Sequence, residues 1–346
     1  MRKQQSVWSQ PYFVIGFAIL IILLGSSFVF EWVAGNVPKH TSYIEENGRP
    51  VEGQPISPRL EAPIHILGTD QHGYDVLAKI ILGAKYTIIG AMSVAALRML
   101  IAVPLGLMIG TCWRKYRKAF QSVLDPIHYL PMTIFAVLIL SPILWMPKEG
   151  FTTTMTERII IEVIILALLT SPIVISLVAN EADMIYSEEF ISASKTLGAG
   201  NGRIIRKHML PLMREKLFVL FGQQVVETLI LFTHLGLLKL FLGGTKVSYD
   251  PDMPDPPMSI SYEWAGQFGD SFRFLAGAPW LPLSPALFFA LLIISVSCMM
   301  EGFTRTMNPQ VSIKKKRANR LAIPEEVIEW NQEQLREKMS LLRIRD

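Results

Sequence analysis

Four polar side chains lie inside otherwise apolar stretches of this sequence: Arg98, Glu162, Glu227 and His234. An unpaired charge at the centre of a lipid bilayer costs about 3 kcal/mol on insertion scales, so such residues pair with each other, reach the headgroups or face water. Glu162 and His234 fall far enough along their stretches to reach headgroups. Arg98 and Glu227 are candidates for a water-filled path or for an interhelical pair, and the sequence leaves both interpretations open.

Motifs that are typical of catalysis or cofactor binding do not accompany these residues. The sequence contains no G-x-x-x-x-G-K-[ST] phosphate loop, no G-x-S-x-G nucleophile elbow and no His/Cys cluster at metal-ligand spacing. The two cysteines, Cys112 and Cys298, fall near the ends of apolar stretches that we expect to face the cytosol, where thiols stay reduced. We therefore expect no catalytic residue, metal, cofactor or disulfide in this chain.

The chain of 346 residues has the composition of a membrane protein, with 51% hydrophobic and 18% charged residues. A soluble chain carries charge on about a quarter of its residues. The apolar residues form six blocks, each long enough to cross the roughly 30 Å hydrocarbon core of a bilayer: 12–33, 86–112, 123–145, 159–178, 217–242 and 281–303. We predict an all-α membrane protein with about six transmembrane helices. The first block is a retained helix in this interpretation, with a signal peptide as the alternative.

Three basic segments, 114–118, 195–216 and 314–317, fall on the same side of these spans as the N-terminus. Positive residues in short loops favour the cytoplasm, so we predict that both termini are cytoplasmic. The opposite side receives the larger loops 34–85 and 243–280. Because this topology accounts for the net charge of +4, no nucleic-acid partner is expected, while the basic tail is able to contact anionic membrane lipid.

The most distinctive connection is 179–216, which is too long for a tight turn. Its residues from Glu188 to Leu197 are compatible with a helix, and Gly198 can end that helix in the left-handed conformation. Residues 203–209 can form a second helix before Pro211. We predict two short helices joined by a glycine turn, which together form a protruding surface. The alternative is a solvated amphipathic loop.

Within this connection, the spacing between Ser192-Ala193-Ser194, Gly198 and Leu210-Pro211 follows a known pattern. It resembles the EAA loop of binding-protein-dependent ABC importers, which docks into the ATPase subunit and transmits its closure to the membrane helices. The resemblance implies that these residues form the coupling loop: Ser192, Ala193, Ser194, Gly198, Ala199, His208, Leu210 and Pro211. Ser192 replaces the glutamate of the pattern, Ser194 an alanine and His208 an apolar residue, which puts a specific salt bridge with the ATPase in doubt.

Further segments match one branch of the same family: LGTDQHGYDVL at 67–77, GAK at 83–85, Glu227 with Leu235-Gly236, APWL at 278–281 and the run from EGF to NP at 301–309. They resemble the oligopeptide and dipeptide permease subunits, although Tyr74 replaces the arginine of the first segment. The resemblance covers about 66–309.

The resemblance implies the type I ABC importer permease fold and a function for the chain. The chain would be one permease subunit of an ATP-driven importer in the bacterial inner membrane, and not itself an enzyme. Its implied partners are a second homologous permease, cytoplasmic ATP-binding subunits, an extracytoplasmic substrate-binding protein and a peptide-like substrate. The interpretation of the polar residues given above would then place Arg98 and Glu227 on the translocation path, with an interhelical pair or a polar cap near the interface as the alternative.

This interpretation divides the chain into an N-terminus and first span (1–33), an outer loop (34–85), a five-helix core (86–309) and a tail (310–346). Two parts lie outside the resemblance. The acidic, proline-rich run 250–257 is either a docking surface for the external binding protein or a passive insertion. The tail is predicted to contain an amphipathic helix that stabilises the periphery, or that packs on the ATPase or the membrane.

Two functions of other classes are alternatives to the importer. A secondary transporter or channel would need no ATPase partner, but the sequence shows no convincing inverted repeat. A membrane scaffold would use 179–216 to recruit a partner without transport. Substrate choice in such importers lies largely in the binding protein, so the sequence does not separate oligopeptides from dipeptides, nickel chelates or other small solutes.

Overall fold

The computed structural model describes residues 7–35, 65–71, 73–124, 129–249 and 257–307, with short pieces at 45–46, 49–50, 57–58 and 126. The α-helices in this part of the chain are α1 (Pro11–Ala34), α2 (Val76–Thr111), α3 (Arg117–Leu124), α4 (Met132–Leu144), α5 (Met155–Tyr186), α6 (Glu189–Thr196), α7 (Asn201–Ile204), α8 (Leu210–Leu237), α9 (Trp264–Ser271) and α10 (Trp280–Met307). Two antiparallel pairs of two-residue strands accompany them: β1 (Glu45–Glu46) with β2 (Arg49–Pro50), and β3 (Thr245–Lys246) with β4 (Met258–Ser259). The tail 310–346 and the proline-rich run 250–256 lie outside the described residues.

Five of the described helical stretches are long and apolar enough to cross a membrane: α1, α2, α5, the continuous stretch Asn201–Leu237 that ends with α8, and α10. The prediction of an all-α membrane protein is confirmed. The remaining apolar helix, α4, has only 13 residues and rises about 20 Å, which is less than the roughly 30 Å of a hydrocarbon core.

The ends of these helices fall into two groups. At one end, which we call the basic end after residues 114–118, Arg114 bonds to Asp183 of α5, and the ring of Phe13 in α1 contacts that of Phe218 in α8. The guanidinium of Arg305 near the end of α10 lies 4.1 Å from the ring centroid of Tyr12. The starts of α1 and α8 therefore lie beside the ends of α2, α5 and α10.

The opposite end, which we call the loop end, holds residues 238–249 and 257–279. Here Lys85 of α2 forms an ion pair with Glu31 near the end of α1. The Nε of Arg158 in α5 donates to the carbonyl of Gly243 just after α8, over 2.7 Å. The helices α1 and α8 thus run from the basic end to the loop end, and α2, α5 and α10 run back.

The predicted span 123–145 crosses between these ends in two pieces. Near the basic end, the side chain of Gln121 in α3 donates to Asn180 of α5 over 2.7 Å. At the loop end, the amide of Met146 donates to the carbonyl of Thr245 over 3.1 Å. The prediction of one continuous helix is therefore wrong, because proline at positions 126 and 131 interrupts helical hydrogen bonding, and α4 begins only at Met132. The crossing itself is present, so the chain passes six times between the two ends.

A glycine seam joins α2 to α5. A Cβ added to Gly106 would lie 2.6 Å from the Cβ of Val178, and one added to Gly110 would lie 2.6 Å from the carbonyl oxygen of Ala179. Small residues let membrane helices approach until their backbones are nearly in contact, which is a main source of attraction between helices in lipid. The seam fixes α2 on α5.

The LGTD segment has a structural role at the start of α2. Asp75 is the N-cap of α2 and accepts from the amide of Ala78 over 2.9 Å. Asp70 accepts from the amide of Tyr74 over 2.9 Å and pairs with Lys79 at 2.6 Å. The two carboxylates therefore hold a closed turn that satisfies the amides at the helix start.

Residues 240–245 form a buried loop that closes the loop end, beyond the last residue of α8. The predicted fifth span, 217–242, therefore ends as a helix five residues early. Glu263 accepts from the amide of Leu242 over 3.0 Å and from the amide of Gly266 at the start of α9. Burial raises the pKa of Glu263 to about 8, against the lowering effect of these two hydrogen bonds.

Candidate functional site

A polar stripe runs along the outer surface of α8. Gln223, Glu227 and His234 are all exposed, and their spacing of four and seven residues places them on one face together with the exposed Ile230. The side chain of Glu227 is 59% exposed. It lies ten residues, or about 15 Å, before the end of α8, which is near the middle of a 30 Å hydrocarbon layer.

Arg98 stands behind this stripe and links α2 to α8. Its side chain is only 1% exposed, and its Nη1 donates to Oε1 of Gln224 and lies 3.7 Å from Oε2 of Glu227. The guanidinium Nε has no hydrogen-bond partner among the residues that the structure describes. The structure thus brings the two predicted path residues together as an interhelical pair, in which Glu227 alone faces outward.

An exposed carboxylate at this depth limits what can cover the stripe. Lipid cannot solvate a charge, and Arg98, the cation that pairs with Glu227 within the described part of the chain, is buried on its inner side. The face of α8 that carries Gln223, Glu227 and His234 must therefore be covered by water, by a polar solute or by another protein chain. This requirement singles out the stripe as a candidate functional surface.

Of the other two polar residues in the apolar stretches, Glu162 is buried and His234 is exposed. The carboxylate of Glu162 is buried and accepts from the amide of Gly243 over 3.2 Å, so the prediction that it reaches headgroups is wrong. The reason is that the loop 240–245 folds back over the start of α5 and covers it. His234 is exposed, and its Nδ1 lies 3.4 Å from Oγ1 of Thr133 in α4.

A second candidate surface is the connection between α5 and α8, where the predicted helix, glycine turn and second helix are present. The first helix is α6, and Gly198 follows it with a φ of +86°, a left-handed conformation that favours glycine. The amide of Ala199 donates back to the carbonyl of Ser194 over 3.0 Å. The predicted glycine turn is confirmed.

The second helix differs from the prediction because it continues into α8. A π-helical turn, Ile205–Met209, joins α7 to α8, and the amide of Leu210 donates to the carbonyl of Ile205 five residues back. Pro211 lacks an amide hydrogen and its ring crowds the carbonyl four residues back. The wider π turn relieves this crowding, so the helix continues through the proline.

The connection has an inner and an outer face. Ile191, Ile204 and Met209 are buried against the bundle. Among the predicted contact residues, the exposed ones are Ser192, Ala193, Gly198 and Pro211, and the half-buried ones are Ser194, Ala199, His208 and Leu210. The sequence reasoning missed Leu197, which is 89% exposed at the tip of the turn. An apolar residue directly before a helix-ending glycine was the available signal.

Two of the half-buried residues bond within the connection itself. The Ser194 hydroxyl donates to the carbonyl of Phe190 over 2.9 Å, and the ring of His208 lies 6.3 Å from the ring of Phe190. Serine at this position therefore satisfies its polar group without a partner protein. His208 packs the π-helical turn against α6, which is the packing role of an apolar residue.

Tyr186, the last residue of α5, fastens the connection to the bundle. Its hydroxyl donates to Oδ1 of Asn201 at the start of α7 over 2.9 Å. The Nζ of Lys195 in α6 lies 3.5 Å from the centroid of the Tyr186 ring, within cation–π range. The connection is therefore attached to α5 through Tyr186 and to α8 through a continuous helix.

Residues 102–312 match a protein family described as binding-protein-dependent transport system inner membrane component. This match covers more than half of the chain. The chain belongs to this family. As a family member it is a transport permease and a multi-pass membrane protein, and its all-α fold is that of the type I ABC importer permeases.

Individual relatives extend the similarity beyond this core. The chain is 26% identical over 301 residues to a dipeptide transport system permease protein, DppC, of Alkalihalophilus pseudofirmus, covering 85% of this chain and 86% of the relative. It is 24% identical over 248 residues to an oligopeptide transport system permease protein, OppC, of Bacillus subtilis, covering 71% and 72%. A di/tripeptide permease protein of Pseudomonas aeruginosa is 22% identical over 246 residues, covering 71% and 72%.

These similarities confirm the family that the sequence motifs indicated, the peptide permeases of ABC importers. The matched core contains the connection between α5 and α8 and the polar stripe of α8, while Arg98 lies just before it. The roles of the individual residues in coupling and in the path stay predictions.

Proposed function

We propose that this permease forms half of the translocation path of an ATP-driven importer for peptides or similar small solutes. The observation that carries the proposal is the projecting connection between α5 and α8, with exposed Leu197 at its tip and Tyr186 at its base. The peptide permease relatives support the substrate class. The ATP-binding subunits, a second permease and an external binding protein are part of the proposal.

In this mechanism the connection is the coupling loop. Ser192, Ala193 and Gly198 form an exposed surface that fits a groove on an ATP-binding subunit, and Leu197 provides an apolar anchor at its tip. When two ATP-binding subunits close, they displace the loop. Its attachments to α5 and to α8 carry this displacement into the membrane helices.

The stripe of α8 faces the path in the proposal. A homologous second permease encloses the path, so that Gln223, Glu227 and His234 contact water and the passing solute. The Glu227 carboxylate offers a counter-charge to the ammonium group of a peptide. Arg98 lies behind it and fixes its orientation without contacting the solute.

The basic end is cytoplasmic in the proposal, together with both termini, because it carries the clustered Lys and Arg residues and the coupling loop. The loop end then faces outward, where an external binding protein delivers the solute. The strands β3 and β4 flank residues 250–256 at that end. We propose these residues as part of the docking surface.

Affinity purification of the chain from its native membrane in mild detergent tests the proposal, with mass spectrometry of the recovered proteins and an ATPase assay. We expect a second permease, one or two ATP-binding proteins and an external binding protein. Leu197→Glu should lower the recovery of the ATP-binding proteins, and Leu238→Glu, an exposed leucine at the loop end, is its matched control. Recovery of this chain alone, without ATP turnover, would support a secondary carrier or channel instead.

A further inference from the structure

The short helix α3 is fixed to the bundle along one side only. Arg117 donates to Asp183 and to Oδ1 of Asn180, and Gln121 donates to the same Asn180 oxygen over 2.7 Å. Both partners belong to the last two turns of α5. The opposite side of α3 is therefore held in a fixed orientation and faces away from the bundle.

That outward side is an apolar, largely aromatic groove of about 530 Å³, lined by Trp113, Tyr116, Ala119, Phe120 and Val123. The rings of Trp113 and Phe120 stack with their centroids 6.0 Å apart, and the Val123 side chain is 69% exposed. Such a surface in contact with water is unfavourable, so a groove of this composition requires an apolar occupant.

The level of the groove is that of a membrane surface. It lies directly after the last residue of the spanning helix α2 and beside the last turns of the spanning helix α5. Tryptophan and tyrosine are enriched at this level because their rings are apolar and their N–H or O–H groups reach water. At this level of the membrane, lipid acyl chains are available as the apolar occupant.

The rim of the groove is positively charged. Arg114, Lys115, Arg117 and Lys118 surround it, and the two arginines share the single carboxylate of Asp183. Lys115 and Lys118 are exposed. Lysines next to an apolar surface at the membrane interface attract the phosphate groups of anionic lipid.

We propose that α3 forms a binding site for an anionic phospholipid, whose acyl chain fills the aromatic groove and whose phosphate contacts Lys115 and Lys118. A contact with a second permease would also cover the groove. The exposed lysines favour lipid, because a buried protein interface is depleted in lysine. The proposal is independent of what the chain transports.

The test uses the full chain, purified in mild detergent, stripped of lipid and titrated with phosphatidylglycerol or phosphatidylcholine under native mass spectrometry. Replacing both lysines, Lys115→Gln with Lys118→Gln, should weaken phosphatidylglycerol binding about 30-fold and leave phosphatidylcholine binding unchanged. The matched control replaces two exposed lysines at the loop end, Lys148→Gln with Lys246→Gln, and should bind as the unmodified chain does.

A second measurement places the acyl chain. Phosphatidylglycerol brominated on its acyl chain should quench part of the tryptophan fluorescence. This quenching should be absent in Trp113→Phe. Equal phosphatidylglycerol binding by the two double-lysine variants would overturn the proposal, as would equal affinity for the two lipids. A third outcome would also overturn the proposal: Phe120→Ala reduces the amount of a second permease that copurifies but leaves phosphatidylglycerol binding unchanged. The groove would then be a protein interface.

Discussion

Gln224 and Glu227 both contact Arg98, but their substitutions should have opposite consequences. Gln224 is buried and accepts a hydrogen bond from a buried guanidinium. Hydrogen bonds to charged groups contribute about 1.5–3 kcal/mol, and loss of the acceptor leaves the charge without compensation. Glu227 is 59% exposed and lies 3.7 Å from the guanidinium, so its pairing contributes at most about 1 kcal/mol.

We therefore expect Gln224→Leu to lower the free energy of unfolding by about 2–3 kcal/mol, and Glu227→Gln by no more than about 1 kcal/mol. Thermal unfolding of the purified chain in one detergent measures this difference. Gln223→Leu is the control, because Gln223 is exposed next to Gln224 and should change stability least.

Once expression levels are matched, Glu227→Gln should reduce uptake more than Gln224→Leu does. If Glu227 contacts a peptide ammonium group in the path, loss of about 1 kcal/mol lowers uptake roughly fivefold. Uptake of a radiolabelled dipeptide by cells that produce the variant from its native locus measures this. Equal destabilisation by Gln224→Leu and Glu227→Gln, or unchanged uptake with Glu227→Gln, would refute the reasoning.

Three further substitutions test the fold. Gly110→Ala should destabilise the chain by about 1–3 kcal/mol, because the added Cβ meets the backbone of Ala179. Gly25 has open space around it, so Gly25→Ala should leave the unfolding temperature unchanged, and thermal unfolding of both variants tests this. Asp75→Ala should cost about 1 kcal/mol through loss of the α2 N-cap, with Asp75→Asn largely restoring it in the same assay. Burial raises the pKa of Glu263 from 4.5 to about 8, so the folded state keeps a proton that the unfolded chain releases. The free energy of unfolding should therefore fall as pH rises from about 5 to 8. Glu263→Gln should reduce this pH dependence in unfolding measured at several pH values.

The long helices were predictable because hydrophobic length alone identifies a membrane span. The short helix α4 was not predictable in this way, because the mean hydropathy of a segment does not show that proline at positions 126 and 131 interrupts the helix. The burial of Glu162 was also invisible, because it depends on a loop that follows α8 some 80 residues later. Contacts between distant segments of this kind leave no local signal.

The functional surfaces were predictable to different degrees. Gly198 was placed correctly in its left-handed turn, because a glycine after a helix-compatible run indicates that conformation. The stripe of Gln223, Glu227 and His234 was present in the sequence as a helical spacing of polar residues, but only Glu227 and His234 were singled out, and their shared face with Gln223 was not predicted. That Arg98 is covered while Glu227 is exposed could not be deduced from the sequence, because it depends on how α2 and α8 pack.

The glycine seam between α2 and α5 also bears on how the permease changes shape. Gly106 and Gly110 let α2 approach Val178 and Ala179 too closely for a side chain at either glycine position. If the connection between α5 and α8 couples to an ATP-binding subunit as proposed, we expect displacement of Tyr186 to move α2 and α5 together as one lever. We expect rearrangement instead where other helices meet this pair, as at the short helix α4, which contacts both α5 and α8.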